Sequence, residues 1–143
     1  MALITCQNCE SLFEIPEYEE VKDTVDIYVD GSMTAVAVVL PQTRFIGSPI
    51  IKLVFPIEKS TVNEGEYRAV LEALREAKER GLRNIRILGD SQLVIYQLLG
   101  RYVINEPRLQ ALADQVWGKV FGFDHVRWAW TPREYNKAGK LLP

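Results

Sequence analysis

Three acidic residues carry the strongest chemical signal in the chain: Asp30 in Asp-Gly-Ser, Glu66 in Asn-Glu-Gly-Glu, and Asp90 in Gly-Asp-Ser-Gln. Each alone has an ordinary reading. Asp before Gly is a turn residue, Glu in a first helical turn favours the helix dipole, and Asp before Ser suits a helix entry. Together they lie at a strand end, a helix start and a second strand end, and a fold joining those ends would make them converge. Converging carboxylates repel one another unless cations hold them, and hard oxygen ligands favour Mg²⁺ or Mn²⁺. Two such ions ~3.5–4 Å apart can activate a water, orient a scissile phosphate and stabilise the departing oxygen.

The elements that must position these residues are legible in the periodicity. Thr24–Asp30, Met33–Leu40 and Ile50–Ile57 are rich in Val and Ile and separated by Gly-Ser or Pro-containing breaks, which predicts an antiparallel meander. Thr61 or Asn63 opens a helix to about Arg80, with Tyr67, Val70, Leu71, Leu74 and Ala77 at helical spacing and Gly81 as the stop. Asn84–Leu88 is a short buried strand, Ser91–Leu99 a helix ended by Gly100, and Glu106–Val120 a helix with Pro107 in its first turn. His125–Trp130 is the last strand, with a final helix expected before Leu142. A helical crossover after the meander lets the fourth strand lie parallel to the first and beside it. The fold class is therefore α/β, a five-stranded mixed sheet of three antiparallel meander strands plus two further parallel strands, flanked by helices. The carboxyl ends of its adjacent strands are where an open α/β sheet places its ligand chemistry.

The 143 residues fit one domain, which can bury an ordinary core without cross-links. No apolar run approaches the ~20 residues of a spanning helix, and the first residues lack a signal-peptide pattern, so a cytoplasmic protein is expected. With 17 basic against 19 acidic residues, the whole molecule is not an electrostatic nucleic-acid binder. Phosphate contact would need a local basic patch or bridging cations. Residues 1–22, with Glu10, Glu14, Glu17, Glu19 and Glu20, form an acidic appendage ahead of a domain at 23–143. Its Cys6 and Cys9, in C-x-x-C spacing, are half of a zinc site, a redox pair, or small residues with no chemistry.

Asp-Ile-Tyr-Val-Asp-Gly-Ser (26–32), Asn-Glu-Gly-Glu-Tyr-Arg-Ala (63–69), Leu-Gly-Asp-Ser-Gln (88–92) and Pro-Arg-Glu-Tyr-Asn-Lys (132–137) resemble the motifs of type 1 ribonuclease H. The resemblance covers residue 24 onward. It implies a ribonuclease H-like fold and a Mg²⁺-dependent endonuclease, with Mn²⁺ as an alternative and two ions per site. Such an enzyme cuts the RNA strand of an RNA–DNA hybrid, leaving 5′-phosphate and 3′-hydroxyl ends. Asp30, Glu66 and Asp90 match three metal-binding carboxylates. Asn63 and Gln92 match minor-groove contacts, Thr61 a DNA-phosphate contact, and Gly31 and Ser32 lie where the substrate backbone would pass. The groups suit 2′-hydroxyls and phosphates, although Thr61 or Asn63 would equally cap a helix and Gln92 would equally sit on a solvated turn.

The sequence also departs from that pattern. A fourth carboxylate is expected a few residues beyond Asn136, where Lys137-Ala138-Gly139-Lys140 has none. Asn136 is the expected partial substitute, offering its amide oxygen to the cation, or else a cap of the last helix, with Lys140 as an alternative that would place an ammonium near the phosphate. A His is expected after the last strand, and Arg133 is the candidate replacement as a phosphate contact, while His125 falls at the strand's start. Trp117, Trp128 and Trp130 are read as packing residues rather than stacking platforms. The basic protrusion some members carry is absent, Arg101 to Arg108 being a short loop. A hybrid ribonuclease is the leading reading, with no membrane and no obligate protein partner. A catalytically weak ribonuclease H-like module that binds nucleic acid or protein is the alternative, and another two-metal nuclease of the superfamily is a third.

Overall fold

Period-two alternation in the first long strand dictates the layering. Ile27 and Val29 are buried on one face, while Asp26 and Tyr28 alternate onto the other. The computed structural model describes residues 24–143 and, ahead of them, the backbone of two short strands. These are β1 (Leu3–Thr5) and β2 (Leu12–Glu14), paired antiparallel with each other. Cys6, Cys9 and the rest of the appendage lie outside the described residues.

The main elements are β3 (Val25–Gly31), β4 (Ala35–Pro41), β5 (Ile50–Pro56), α1 (Val62–Glu79), β6 (Asn84–Gly89), α2 (Gln92–Leu98), α3 (Pro107–Val120) and β7 (His125–Trp130). The order across the sheet is β5-β4-β3-β6-β7. The meander β3–β4–β5 is antiparallel, β6 runs parallel to β3, and β7 runs parallel to β6. This is the expected mixed sheet. One expectation fails: no α-helix follows β7. Its place is taken by a 3₁₀ turn at Arg133–Tyr135, followed by turns. Pro132 leads into that turn, and the Asn136 side chain takes the Ala138 N–H, which closes a local turn in place of a helical ladder.

Helices α1 and α3 cover one face of the sheet. Tyr67, Val70 and Leu74 from α1 and Leu109, Leu112 and Val116 from α3 meet Ile27, Val29, Val38, Leu40, Ile85 and Ile87. The buried Tyr67 hydroxyl donates to Gln97 Oε1 at 2.7 Å, and Gln97 Nε2 donates to the Val103 carbonyl at 3.3 Å. The polar ends of this core are thereby satisfied. On the opposite face Ala138 and Leu142 pack against Ala37 and Val39.

The contact that most constrains the fold runs backbone to backbone. A Cβ added at Gly31 would lie 2.1 Å from the Gly65 carbonyl oxygen, and one at Gly65 would lie 1.9 Å from that of Ser32. The end of β3 and the first turn of α1 can therefore touch only because both positions lack side chains. Thr61 opens α1 with a capping box: its hydroxyl accepts from Glu64 N at 3.1 Å while Glu64 Oε1 accepts from Thr61 N at 3.3 Å.

This contact predicts a contrast between two helical glycines. Gly65→Ala should destabilise by about 1–3 kcal/mol or more, since the obstruction is backbone that cannot swing aside. Gly118→Ala in α3, with nothing within 4 Å of its added carbon, should stabilise by up to ~1 kcal/mol. Urea unfolding midpoints of the two variants check this, and equal effects would contradict it.

Candidate active site

Parallel pairing of β3 with β6 sets two strand ends side by side. Tyr28 is in register with Leu88, so Asp30 and Asp90 emerge from neighbouring strands at one edge. The Gly31–Gly65 contact then brings the first turn of α1 down on that edge and delivers Glu66. One carboxylate oxygen from each of Asp30, Glu66 and Asp90 lies within 4.8 Å of the others. Asp30 and Glu66 are buried and Asp90 is half-buried.

Electrostatics follow from that crowding. Burial, then the charges of Asp30 and Asp90, push the Glu66 carboxyl up to about 9, partly offset by the Gly31 N–H that its carboxylate accepts. Asp30 is raised by burial and by the charge of Asp90, against the pull of Arg133. Two acids that resist ionising side by side are the signature of a shared site for a counter-charge. The donor set is all oxygen and compact, and so it fits a hard divalent cation.

The turn after β7 supplies the remaining groups. Arg133 Nη1 donates to Asp30 Oδ1 at 3.3 Å and to Asp90 Oδ2 at 3.2 Å. Asn136 is fully buried, with Nδ2 donating to the Val29 carbonyl at 2.9 Å and to Asp90 Oδ2 at 2.8 Å, while Oδ1 accepts from Ala138 N. Both backbone partners agree on the amide's orientation, so it is not open to a flip. This corrects the expectation that Asn136 offers its oxygen as a ligand. That oxygen is committed to Ala138, and the residue acts on the site through its N–H₂, by holding Asp90.

Other expected residues distribute unevenly. The Thr61 hydroxyl is engaged in the capping box, and the Ser32 hydroxyl in the β3–β4 turn, where it accepts from Ala35 N at 3.0 Å. Gly31 serves the close approach to Gly65. Asn63 is half-buried in the first turn of α1 and lines a surface pocket of about 470 Å³ with Thr61, Glu64, Glu106, Arg108 and Leu109. Gln92 is exposed at the start of α2, two residues beyond Asp90. His125 is exposed at the far end of β7, and Lys140 is exposed too.

Two contributions lie beyond the sequence motifs. Trp130 does more than pack: it is partly exposed and its Nε1 donates to the Asp90 carbonyl at 3.0 Å, tying β7 to the turn that carries Asp90. Trp117 and Trp128 do pack against the core. The structural role of Gly65 is the second. A glycine in a first helical turn, costing ~1 kcal/mol relative to alanine, was the available signal.

Comparison with known proteins places this geometry. Residues 50–142 match the reverse transcriptase-like family. Ribonuclease HI of Halobacterium salinarum is 35% identical over 86 residues, which is 60% of this chain and 43% of that protein. The crystal structure of RNase H1 from that archaeon superposes with a TM-score of 0.75 and 31% identity over 83% of this chain and 93% of the other. The N-terminal RNase H domain of Rv2228c from Mycobacterium tuberculosis, solved as a fusion with maltose-binding protein, gives a TM-score of 0.73 and 26% identity over 83% and 95%. LC11-RNase H1, solved in complex with an RNA/DNA hybrid, shares the fold at a TM-score of 0.71 and 23% identity over 82% and 92%. The chain spans from about a fifth to about half of the length of the curated relatives it matches. On the matched segment, the sheet order and the identity to the archaeal structure, the chain belongs to the reverse transcriptase-like family and, within it, to the type 1 ribonucleases H.

Proposed function

We propose that the protein is a metal-dependent endoribonuclease that hydrolyses the RNA strand of RNA–DNA hybrids, leaving 5′-phosphate and 3′-hydroxyl ends. The observation that carries this reading is the convergence of Asp30, Glu66 and Asp90 within 4.8 Å at the sheet edge. Family membership supports it, as does the retention of mutually repelling acids that a purely structural edge would not need. A cytoplasmic setting goes with this reading; among the described residues no helix is long and apolar enough to cross a membrane.

Asp30, Glu66 and Asp90 would hold up to two Mg²⁺ or Mn²⁺ ions, which supply a more acidic water and charge neutralisation at the scissile phosphate. The chain's own residues do the rest. Asn136 fixes the orientation of Asp90 through the 2.8 Å bond to Oδ2. Trp130 holds the Asp90 backbone from the other side. Arg133, more than half exposed, can reach a phosphate beside the acids. Asn63 and Gln92 present amides on the two elements flanking the site, suited to 2′-hydroxyls in a minor groove. Gly31 and Ser32 contribute by shape, since the Ser32 hydroxyl is occupied in its turn, and Thr61 meets a DNA phosphate only if its capping hydroxyl is shared.

The direct test is cutting of a hybrid labelled on each strand, beside double-stranded RNA and DNA, with Mg²⁺, Mn²⁺ or chelator. Ion-dependent cutting of the hybrid's RNA alone is expected, reduced on the order of 10²–10³-fold or more in Asp30→Asn. Hybrid binding without cleavage under any ion would instead favour a binding module.

A stability prediction follows from Glu66. In chelator the folded state keeps its proton to about 9, whereas the unfolded chain releases it near 4.5. The native state therefore binds the extra proton between those values, and stability falls as pH rises across that window. Melting temperature in chelator should drop between pH 5 and 9, and the drop should be smaller in Glu66→Gln or with saturating Mg²⁺. An identical pH profile for the variant and the parent would contradict the raised pKa.

A further inference from the structure

The C-terminal turn places a positive charge among groups otherwise suited to hold a cation, and that placement has a consequence for loading. Arg133 Nη1 lies 3.3 Å from Asp30 Oδ1 and 3.2 Å from Asp90 Oδ2, with the second oxygen of each carboxylate at 3.5 Å. The bridged acids are sequestered, their side chains 2% and 11% exposed, whereas the Arg133 side chain is 61% exposed. An exposed arm thus reaches into a sequestered pair.

The base of this arm is anchored. Three residues on, Asn136 is buried and bonded to the Val29 carbonyl and to Asp90, so the guanidinium can swing by side-chain rotation while the turn stays in place. Gly139 lies beside the guanidinium, and a Cβ there would make only ordinary van der Waals contact with Arg133 Cζ at 3.7 Å and Nη1 at 3.8 Å. Among the described residues Nη1 alone makes the carboxylate bonds, and the remaining donors of the five-donor fork can serve a second anion.

We propose that Arg133 is a tethered counter-ion that competes with a divalent cation for Asp30 and Asp90, and that a substrate phosphate relieves the competition by drawing the guanidinium away. Resting on the reading of Asp30, Glu66 and Asp90 as a cation site, the inference adds how access to that site is regulated. Guanidinium and cation seek the same carboxylate oxygens, so each lowers the other's occupancy. A phosphate offers the fork a bidentate partner outside the pair, which couples cation affinity to the presence of substrate. Exposure of the arm limits the strength of the competition through solvent screening, so a modest factor is expected rather than exclusion.

The test is calorimetric titration of Mn²⁺ into the 143-residue chain without nucleic acid, comparing the parent with Arg133→Gln and Arg133→Lys, alongside melting curves in chelator and in saturating Mn²⁺. Arg133→Gln should bind Mn²⁺ at least about five-fold more tightly, with Arg133→Lys nearer the parent because it keeps the charge. Arg133→Gln should melt lower than the parent in chelator, and the gap should close at saturating Mn²⁺. Affinities equal within a factor of two, or a melting gap that persists at saturation, would overturn the proposal, making Arg133 a purely structural tie and leaving the cation site standing. Absence of Mn²⁺ binding in all three proteins would overturn both this proposal and the cation-site reading.

Discussion

Three carboxylates within 4.8 Å of one another are an unfavourable arrangement, and much of the architecture exists to impose it. Two come from the ends of adjacent parallel strands, a juxtaposition that needs the crossover through α1 to bring β6 beside β3. The third comes from the same crossover helix, whose first turn lies against β3 because Gly31 and Gly65 leave nothing between their backbones. The capping box at Thr61 and Glu64 starts the helix at that point, and the α1 core residues Tyr67, Val70 and Leu74 hold its axis on the sheet. Burial of a large apolar face opposes the local repulsion, and the carboxyls of Glu66 and Asp30 are raised first by their own burial and then by the charge of their acidic neighbours.

The turn after β7 answers the same repulsion by different means. An amide and a guanidinium, not a fourth acid, face Asp90 and Asp30. The amide is fully buried and tied to two backbone groups; the guanidinium is exposed and, among the described residues, is hydrogen-bonded to the acids it bridges. Rigid support for one ligand and a movable charge beside the pair are distinct tasks, and three residues of sequence separate them. Trp130 adds a third tie, through the backbone of Asp90.

Much of this was legible in the residues. Helical spacing from Tyr67 to Ala77, Gly81 as a stop and Pro107 at a first turn read directly as α1 and α3, because local rules govern amphipathic helices with clear ends. Asp30, Glu66 and Asp90 were legible because strand ends and a helix start are topological positions, and the crossover rule joins them. The C-terminal turn was not. The path of Thr131 to Lys140 depends on Asn136 reaching the Val29 carbonyl, a partner 107 residues away that no local pattern encodes. The same distance hid which atom of Asn136 faces Asp90. Thr61 and Ser32 illustrate another limit: residue type shows that a hydroxyl can bond, but only the fold shows that a cap or a turn already uses it.

Everything proposed for this edge of the sheet rests on Asp30, Glu66 and Asp90 forming one divalent-cation site. Anomalous diffraction from crystals of the protein grown with Mn²⁺ tests it most directly. A strong anomalous peak is expected within coordination distance of all three carboxylates, at about 2.0–2.5 Å from their oxygens. A map from well-ordered crystals with no peak among these residues, or with Mn²⁺ held elsewhere and the three acids unchanged, would contradict it.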